Sequence, residues 1–311
     1  MRRHLVNAAL LAGIAFLNAF FLFEAHGFAG AVEAGTAVPA FPGLSAGDNS
    51  RWLMVFLIAC ADIQFIWAFI IRMIHPFRRL VRLFVWFGLA LSLYCFLLVD
   101  LHSRGAYVPV FVLSGILLGY TGVVIGFNLT NRKTSSGAAA VVLVPGAAIV
   151  FASVAFPSGP EGAYVLRVLA LYLVLCSFFA MGSLAVSTVG ARNGYLVRRN
   201  ITIMLCMTFG FLVPVFLFLL RLCAHVAVPH ALPPGLMLIV PLCVGNRLLE
   251  NNFFNVAPYM GRGAVVIFLN AAIAAAGAAG LYYLMSAPAF SSGMLVDAAL
   301  FTAGMIVLLK A

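Results

Sequence analysis

Charge is what this chain has least of. Of its 311 residues only 8% are Asp, Glu, Lys or Arg, while 65% are hydrophobic; water-soluble domains run near ~25% charged and ~45–50% apolar. An ordinary water-soluble globule is therefore excluded. Lysine is almost missing. Lys133 and Lys310 are the two in the chain, and neither sits in the middle of an apolar run, which rules out a retinal Schiff base. Soluble catalytic machinery is missing as well: there is no Walker A loop, no Rossmann glycine pattern, no HExxH and no GxSxG. An aspartate-rich metal–diphosphate site of the prenyl-transferase kind is absent, and the chain is not read as an enzyme. The six cysteines, Cys60, Cys95, Cys176, Cys206, Cys223 and Cys243, form no CxxC pair and no His/Cys cluster at zinc spacing. Each lies in an apolar run, where a thiol serves as a small packing residue. No metal and no cofactor are expected.

What is present is long apolar runs. Ten are legible, at roughly 5–23, 52–74, 83–101, 108–130, 138–156, 163–188, 201–227, 235–250, 264–285 and 294–309. A ~30 Å hydrocarbon core takes about 20 helical residues to cross. Most of the runs meet that length; the eighth and tenth are short, and the eighth carries Pro241 and Gly245. The predicted fold class is all-α, a polytopic membrane helix bundle of about ten transmembrane helices, with 1–311 forming a single integral membrane domain and no soluble domain.

The net charge of +10 invites a nucleic-acid reading, but the placement of the charges speaks against it. They fall in short clusters between apolar runs, as topology signals do, and do not build a phosphate-binding face. Alternate connections hold Arg72, Arg78, Arg79 and Arg82; Arg132 and Lys133; Arg192, Arg198 and Arg199; and Arg247 and Arg262. With Arg2, Arg3 and Lys310 this puts fourteen of eighteen basic residues on one side, against Arg51, Arg104, Arg167 and Arg221 elsewhere. The asymmetry predicts that both termini are cytoplasmic, in a bacterial cytoplasmic (inner) membrane. The run that follows Met1-Arg2-Arg3 is longer than a signal-peptide core and is read as a retained helix; cleavage would leave nine spans. The longest loop, from Glu24 to Arg51, lies on the outer side. Every cytoplasmic connection is about fifteen residues or fewer, too short for a nucleotide-binding or kinase domain.

Ionisable groups inside spans are the candidate site residues, because each costs at least ~2.5–3.5 kcal/mol at the bilayer centre. Asp62 lies about ten residues into the second span, ~15 Å deep. Arg221 sits near the outer end of the seventh, with His225 one turn further along the same face. Arg167 lies in the outer part of the sixth span and Asp297 in that of the tenth, and Asp100 marks the outer end of the third. Two readings are open. Arg221 or Arg167 meets an anionic small-molecule ligand in a cavity open to the outside, with Asp62 at its floor; or Asp62 pairs with Arg221 as a contact between helices. His4, His75, His102 and His230 lie at span ends and read as interface anchors. Pro145, Pro214 and Pro241 should kink their helices. Gly115, Gly119, Gly122 and Gly126 form overlapping GxxxG pairs, and Gly277 and Gly280 do similar work in the ninth span; both sets read as packing faces within the chain.

The stretch Pro241-Leu-Cys-Val-Gly245-Asn-Arg-Leu248-Leu249-Glu-Asn-Asn-Phe253-Phe254-Asn255-Val256, with the helix 264–285 ending Leu281-Tyr282-Tyr283-Leu284, resembles the end of a multi-span membrane sensor region. Such regions head some bacterial histidine kinases and PP2C-type phosphatases. The Pro, Gly and Phe-Phe-Asn-Val elements match. The usual Gly-Tyr is Gly245-Asn246, and the basic–aromatic–basic trio is replaced by Glu250-Asn251-Asn252. The match spans about 45 residues. The resemblance implies a sensor or input module that passes a ligand or membrane signal to a cytoplasmic signalling partner or an output domain elsewhere. A different reading is a ten-helix secondary transporter built as five plus five inverted repeats, like the drug/metabolite transporters, although the two halves share no motif. A structural subunit of a membrane complex is a third. The expected partners are the lipid bilayer, that cytoplasmic partner and a small molecule, with no nucleic acid.

Overall fold

The computed structural model describes residues 9–10, 12–21, 50–74, 79–103, 105–129, 136–189, 194–224, 228, 230 and 232–240. The site candidate His225, Asp297, the spans read at 264–285 and 294–309, and the sensor-like stretch 241–285 lie outside them. Among the described residues the chain is helical, with no strand. The helices are α1 (Ala12–Phe21), α2 (Ser50–Ile74), α3 (Arg79–Ser103), α4 (Val108–Leu129), α5 (Ser136–Ala155), α6 (Gly159–Val189), α7 (Gly194–Met207), α8 (Val213–Ala224) and the short α9 (Leu232–Met237). Four stretches are long and apolar enough to cross a membrane: Val81–His102, Val108–Asn128, Gly159–Val189 and Asn200–Ala224. This is a membrane protein.

α4 is the centre of the bundle, packed against α3, α5 and α6. Its glycines explain why. A side chain at Gly115 would press on Leu169, at Gly119 on Tyr172 and Cys176, and at Gly126 on the backbone of Ala180, 3.0 Å from its carbonyl oxygen. These partners advance with the glycines, so α4 and α6 run parallel with their backbones in near contact. Gly122 faces the other way, toward Phe87, Met207 and Phe211. The GxxxG pattern is thus an intrachain seam, as its spacing predicts.

The faces that leave the core are apolar too. Val141, Val144, Phe151 and Val154 of α5 and Val168, Leu171, Leu175 and Phe178 of α6 are all exposed, Phe151 by 77%. In water so large an apolar face would drive aggregation; it suits a bilayer, where lipid tails cover it.

The α3–α4 connection is tightly built. The Gly105 N–H donates to the Asp100 carbonyl at 2.7 Å, with Gly105 at φ 63°, a left-handed conformation that glycine adopts without steric cost. The Asp100 carboxylate accepts from the N–H groups of Ala106 (3.1 Å) and Tyr107 (2.8 Å), fixing the turn that leads into α4. The same end of the bundle, called the turn end below, carries the start of α6 and the close of α8.

Pro145 and Pro214 both lie within continuous helical spans. Pro145 lies inside α5, and the Tyr172 hydroxyl donates to the neighbouring Val142 carbonyl at 3.2 Å. Pro214 follows a π-helical turn, Thr208–Leu212, in which the Val213 N–H reaches back to the Thr208 carbonyl. Proline has no N–H, and its ring collides with the carbonyl four residues earlier. The wider π turn moves that carbonyl aside, so α7 and α8 continue as one span.

Candidate polar site at the turn end

Arg221 is the hub of the site. It sits in the last turn of α8 and is half-buried. One guanidinium nitrogen donates to the Val228 carbonyl at 2.8 Å; the other meets Nε2 of His230. The His230 ring stands edge-to-face against buried His102 of α3, centroids 4.6 Å apart. Arg167 of α6 comes to the same end, where its Nε donates to the Leu222 carbonyl at 3.0 Å and its guanidinium lies 5.0 Å over the Tyr164 ring. It caps the exposed close of α8, whose last carbonyls have no partner within the helix.

Between α3, α8 and α9 lies a cavity of about 20 Å³, lined by Tyr94, Leu98, His102, Phe218, Arg221, His230, Pro233, Pro234 and Met237. That volume has room for a water-sized guest. Arg221 lines this cavity. Arg167 does not line it, and neither does Asp62.

Asp62 is the correction. It does not pair with Arg221. Its carboxylate accepts from the Asn18 side chain of α1 at 2.7 Å, so its partner is a neutral amide at the start of the chain. Residue counting from the span ends suggests that the two are within reach, but Asp62 stands mid-helix in α2 and Arg221 in the last turn of α8. Two further polar contacts tie α2 to its neighbours: Ser92 of α3 donates to the Ala61 carbonyl at 2.8 Å, and fully buried Gln64 donates to the Met237 carbonyl at 3.0 Å. α9 ends at Met237, so that carbonyl is among those that a helix leaves without a partner of its own, and Gln64 supplies the donor.

His102 and His230 are likewise brought together and are not separate interface anchors. Among the described residues no three His, Cys, Asp or Glu side chains gather as metal ligands. Cys60, Cys95, Cys176 and Cys206 are buried free thiols, and Cys223 is an exposed one. Compared with known proteins, the chain matches no family model, no curated protein and no solved structure.

Proposed function

We propose that this chain is a membrane-embedded sensor or input module that reads a signal at the turn end of the bundle and passes it to a cytoplasmic partner as a helix displacement. In this reading the chain crosses a bacterial cytoplasmic membrane about ten times with both termini inside, and the turn end faces out. The observation that carries it is the pairing of features on one span. Arg221, at one end, holds the α8–α9 connection through Val228 and His230, and the π turn Thr208–Leu212 interrupts the same span one helical stretch below. π turns inside α-helices occur frequently at functional sites, and one that can convert to α-helix rotates and shifts whatever lies beyond it. Among the described residues the helices pack closely around α4, which suits a module that passes a movement from one end of the bundle to the other.

The test uses spin labels at two exposed positions toward the opposite end, Val141 of α5 and Ile201 of α7. Arg221→Gln releases the α8–α9 connection and should change the label distance by about 1.5 Å or more, one residue of helical rise. An unchanged distance, together with counterflow uptake of any small metabolite by reconstituted wild-type protein, would overturn the sensor reading in favour of transport. Reporter fusions at residues 133 and 195 should report cytoplasm, and fusions at 104 and 160 the outside.

A further inference from the structure

We infer that Arg167 and Tyr164 of α6 form a binding site for the phosphate of one anionic phospholipid, whose acyl chains lie along the exposed face of α6. The site stands apart from the sensor reading and anchors the turn end in its bilayer.

An arginine within a membrane span is costly unless its charge is answered. The usual recourse is to snorkel, with the stem along the helix and the head free in water. Arg167 is held instead. Its Nε donates to the Leu222 carbonyl at 3.0 Å, and its guanidinium lies 5.0 Å over the Tyr164 ring. These contacts fix the guanidinium and leave both terminal nitrogens without a hydrogen-bond partner among the described residues. Nor does a carboxylate among those residues answer the charge. Glu161, the acidic residue of α6, stands six residues earlier, about 120° round the helix. The Asp100 carboxylate accepts from the Ala106 and Tyr107 N–H groups.

The height of Arg167 points to a lipid. The 31 residues of α6 make a helix ~46 Å long, so centring it on a ~30 Å hydrocarbon core leaves ~8 Å beyond each face. Arg167 lies ~12 Å along α6 from Gly159, just inside the core and within one side-chain length of the phosphates. Tyr164 is exposed beside it, at the level where interfacial tyrosines gather, and its hydroxyl is a second donor. Below them Val168, Leu171, Leu175 and Phe178 form an exposed apolar stripe at helical spacing. A phosphodiester is the anion that occurs at this depth with hydrocarbon attached beneath it. The guanidinium fork matches two of its oxygens. A zwitterionic lipid brings a cation that finds no carboxylate beside Arg167, so a lipid of net negative charge is favoured.

Cys223, exposed in the last turn of α8 next to Leu222, gives the test its reporter. The full-length chain carrying Cys243→Ser is labelled there with bimane and reconstituted in phosphatidylcholine vesicles. Phosphatidylglycerol or phosphatidylcholine with a nitroxide high on one acyl chain is then added in increasing fractions, and quenching is followed. With Arg167 and Tyr164 intact, phosphatidylglycerol should half-quench at about one tenth of the fraction that phosphatidylcholine needs. Arg167→Gln should bring the two curves together. Tyr164→Phe, which keeps the ring and loses the hydroxyl, should narrow the gap about threefold. Equal curves with both residues intact would overturn the lipid site, a result that needs no variant to fold. A preference that survives Arg167→Gln unchanged would overturn it too. Displacement of phosphatidylglycerol by inorganic phosphate would show a site for free phosphate and overturn the lipid assignment. None of these outcomes moves the Val141–Ile201 label distance, so the sensor reading stands or falls separately.

Discussion

Along α4 and α6 the helices meet through what is missing, whereas at α8 and α9 they meet through what is supplied. The first seam is glycine against backbone, Gly126 lying against Ala180 and Gly119 against Tyr172 and Cys176. Its attraction is dispersion over close surfaces, which exists at one separation and fades within an ångström. The second contact is side chain to carbonyl: Arg221 to Val228, Arg167 to Leu222 and Gln64 to Met237. A long polar side chain can follow its acceptor through a small movement or exchange it for another. The bundle therefore has a stiff half and an adjustable half, and the candidate site lies in the adjustable one.

The sharpest way to break this contrast is to add volume to the stiff seam. Gly126→Leu should destabilise the protein by about 3 kcal/mol, because the first added carbon already meets the Ala180 carbonyl oxygen and α-carbon, neither of which can swing away. Thermal unfolding in detergent would measure it, and a loss under about 1 kcal/mol would mean that the seam gives as easily as the polar end. The adjustable half should be cheaper to disturb. Gln64→Leu leaves the Met237 carbonyl buried without a donor and should cost about 1–2 kcal/mol, measured in the same way.

Asp62 separates what the sequence makes legible from what it hides. Run length locates these helices to within four residues: the stretches read at 108–130, 138–156 and 163–188 overlap α4 (Val108–Leu129), α5 (Ser136–Ala155) and α6 (Gly159–Val189). The glycine seam is legible because small residues at helical spacing have one use in a packed bundle. Partners across helices are another matter. Counting residues from the end of an apolar run places a group along its helix only roughly, and it is silent on which neighbour it faces. Asp62 stands mid-helix in α2 while Arg221 sits in the last turn of α8, and the partner of Asp62 is Asn18, 44 residues earlier. His102 and His230 also stand at span ends by sequence, and their contact follows from the path of the chain between α8 and α9, which no periodicity encodes. Pro214 announces a disturbance without saying that a π turn, and not a kink, absorbs it.

The neutral partner makes a smaller prediction that sharpens the same point. Asp62→Asn keeps an oxygen for the Asn18 amide and should cost less than about 1 kcal/mol. A loss of about 3–5 kcal/mol, the cost of stranding a buried cation, would restore the Arg221 pairing. The smallest effect has the opposite sign. Gly182, on the same helix as the tight seam, has open space where a side chain would go. Gly182→Ala should therefore stabilise α6 by a few tenths to about 1 kcal/mol, and a destabilisation like that of Gly126→Leu would show that α6 tolerates no change anywhere along its length.

The π turn at Thr208–Leu212 also bears on how this span can change length. A single π turn is an α-helix with one residue to spare, so removing one residue there returns the span to plain α-helix and leaves the helices on either side facing the way they faced before. Elsewhere in the span the same deletion would turn everything beyond it by about 100°, a consequence of 3.6 residues per turn. What stands against the shortened form is Pro214, whose ring would again meet a carbonyl one turn back. The surplus residue and the proline are thus a matched pair: losing either one alone leaves the span strained or slack, and losing both leaves an uninterrupted helix from Gly194 to the cavity.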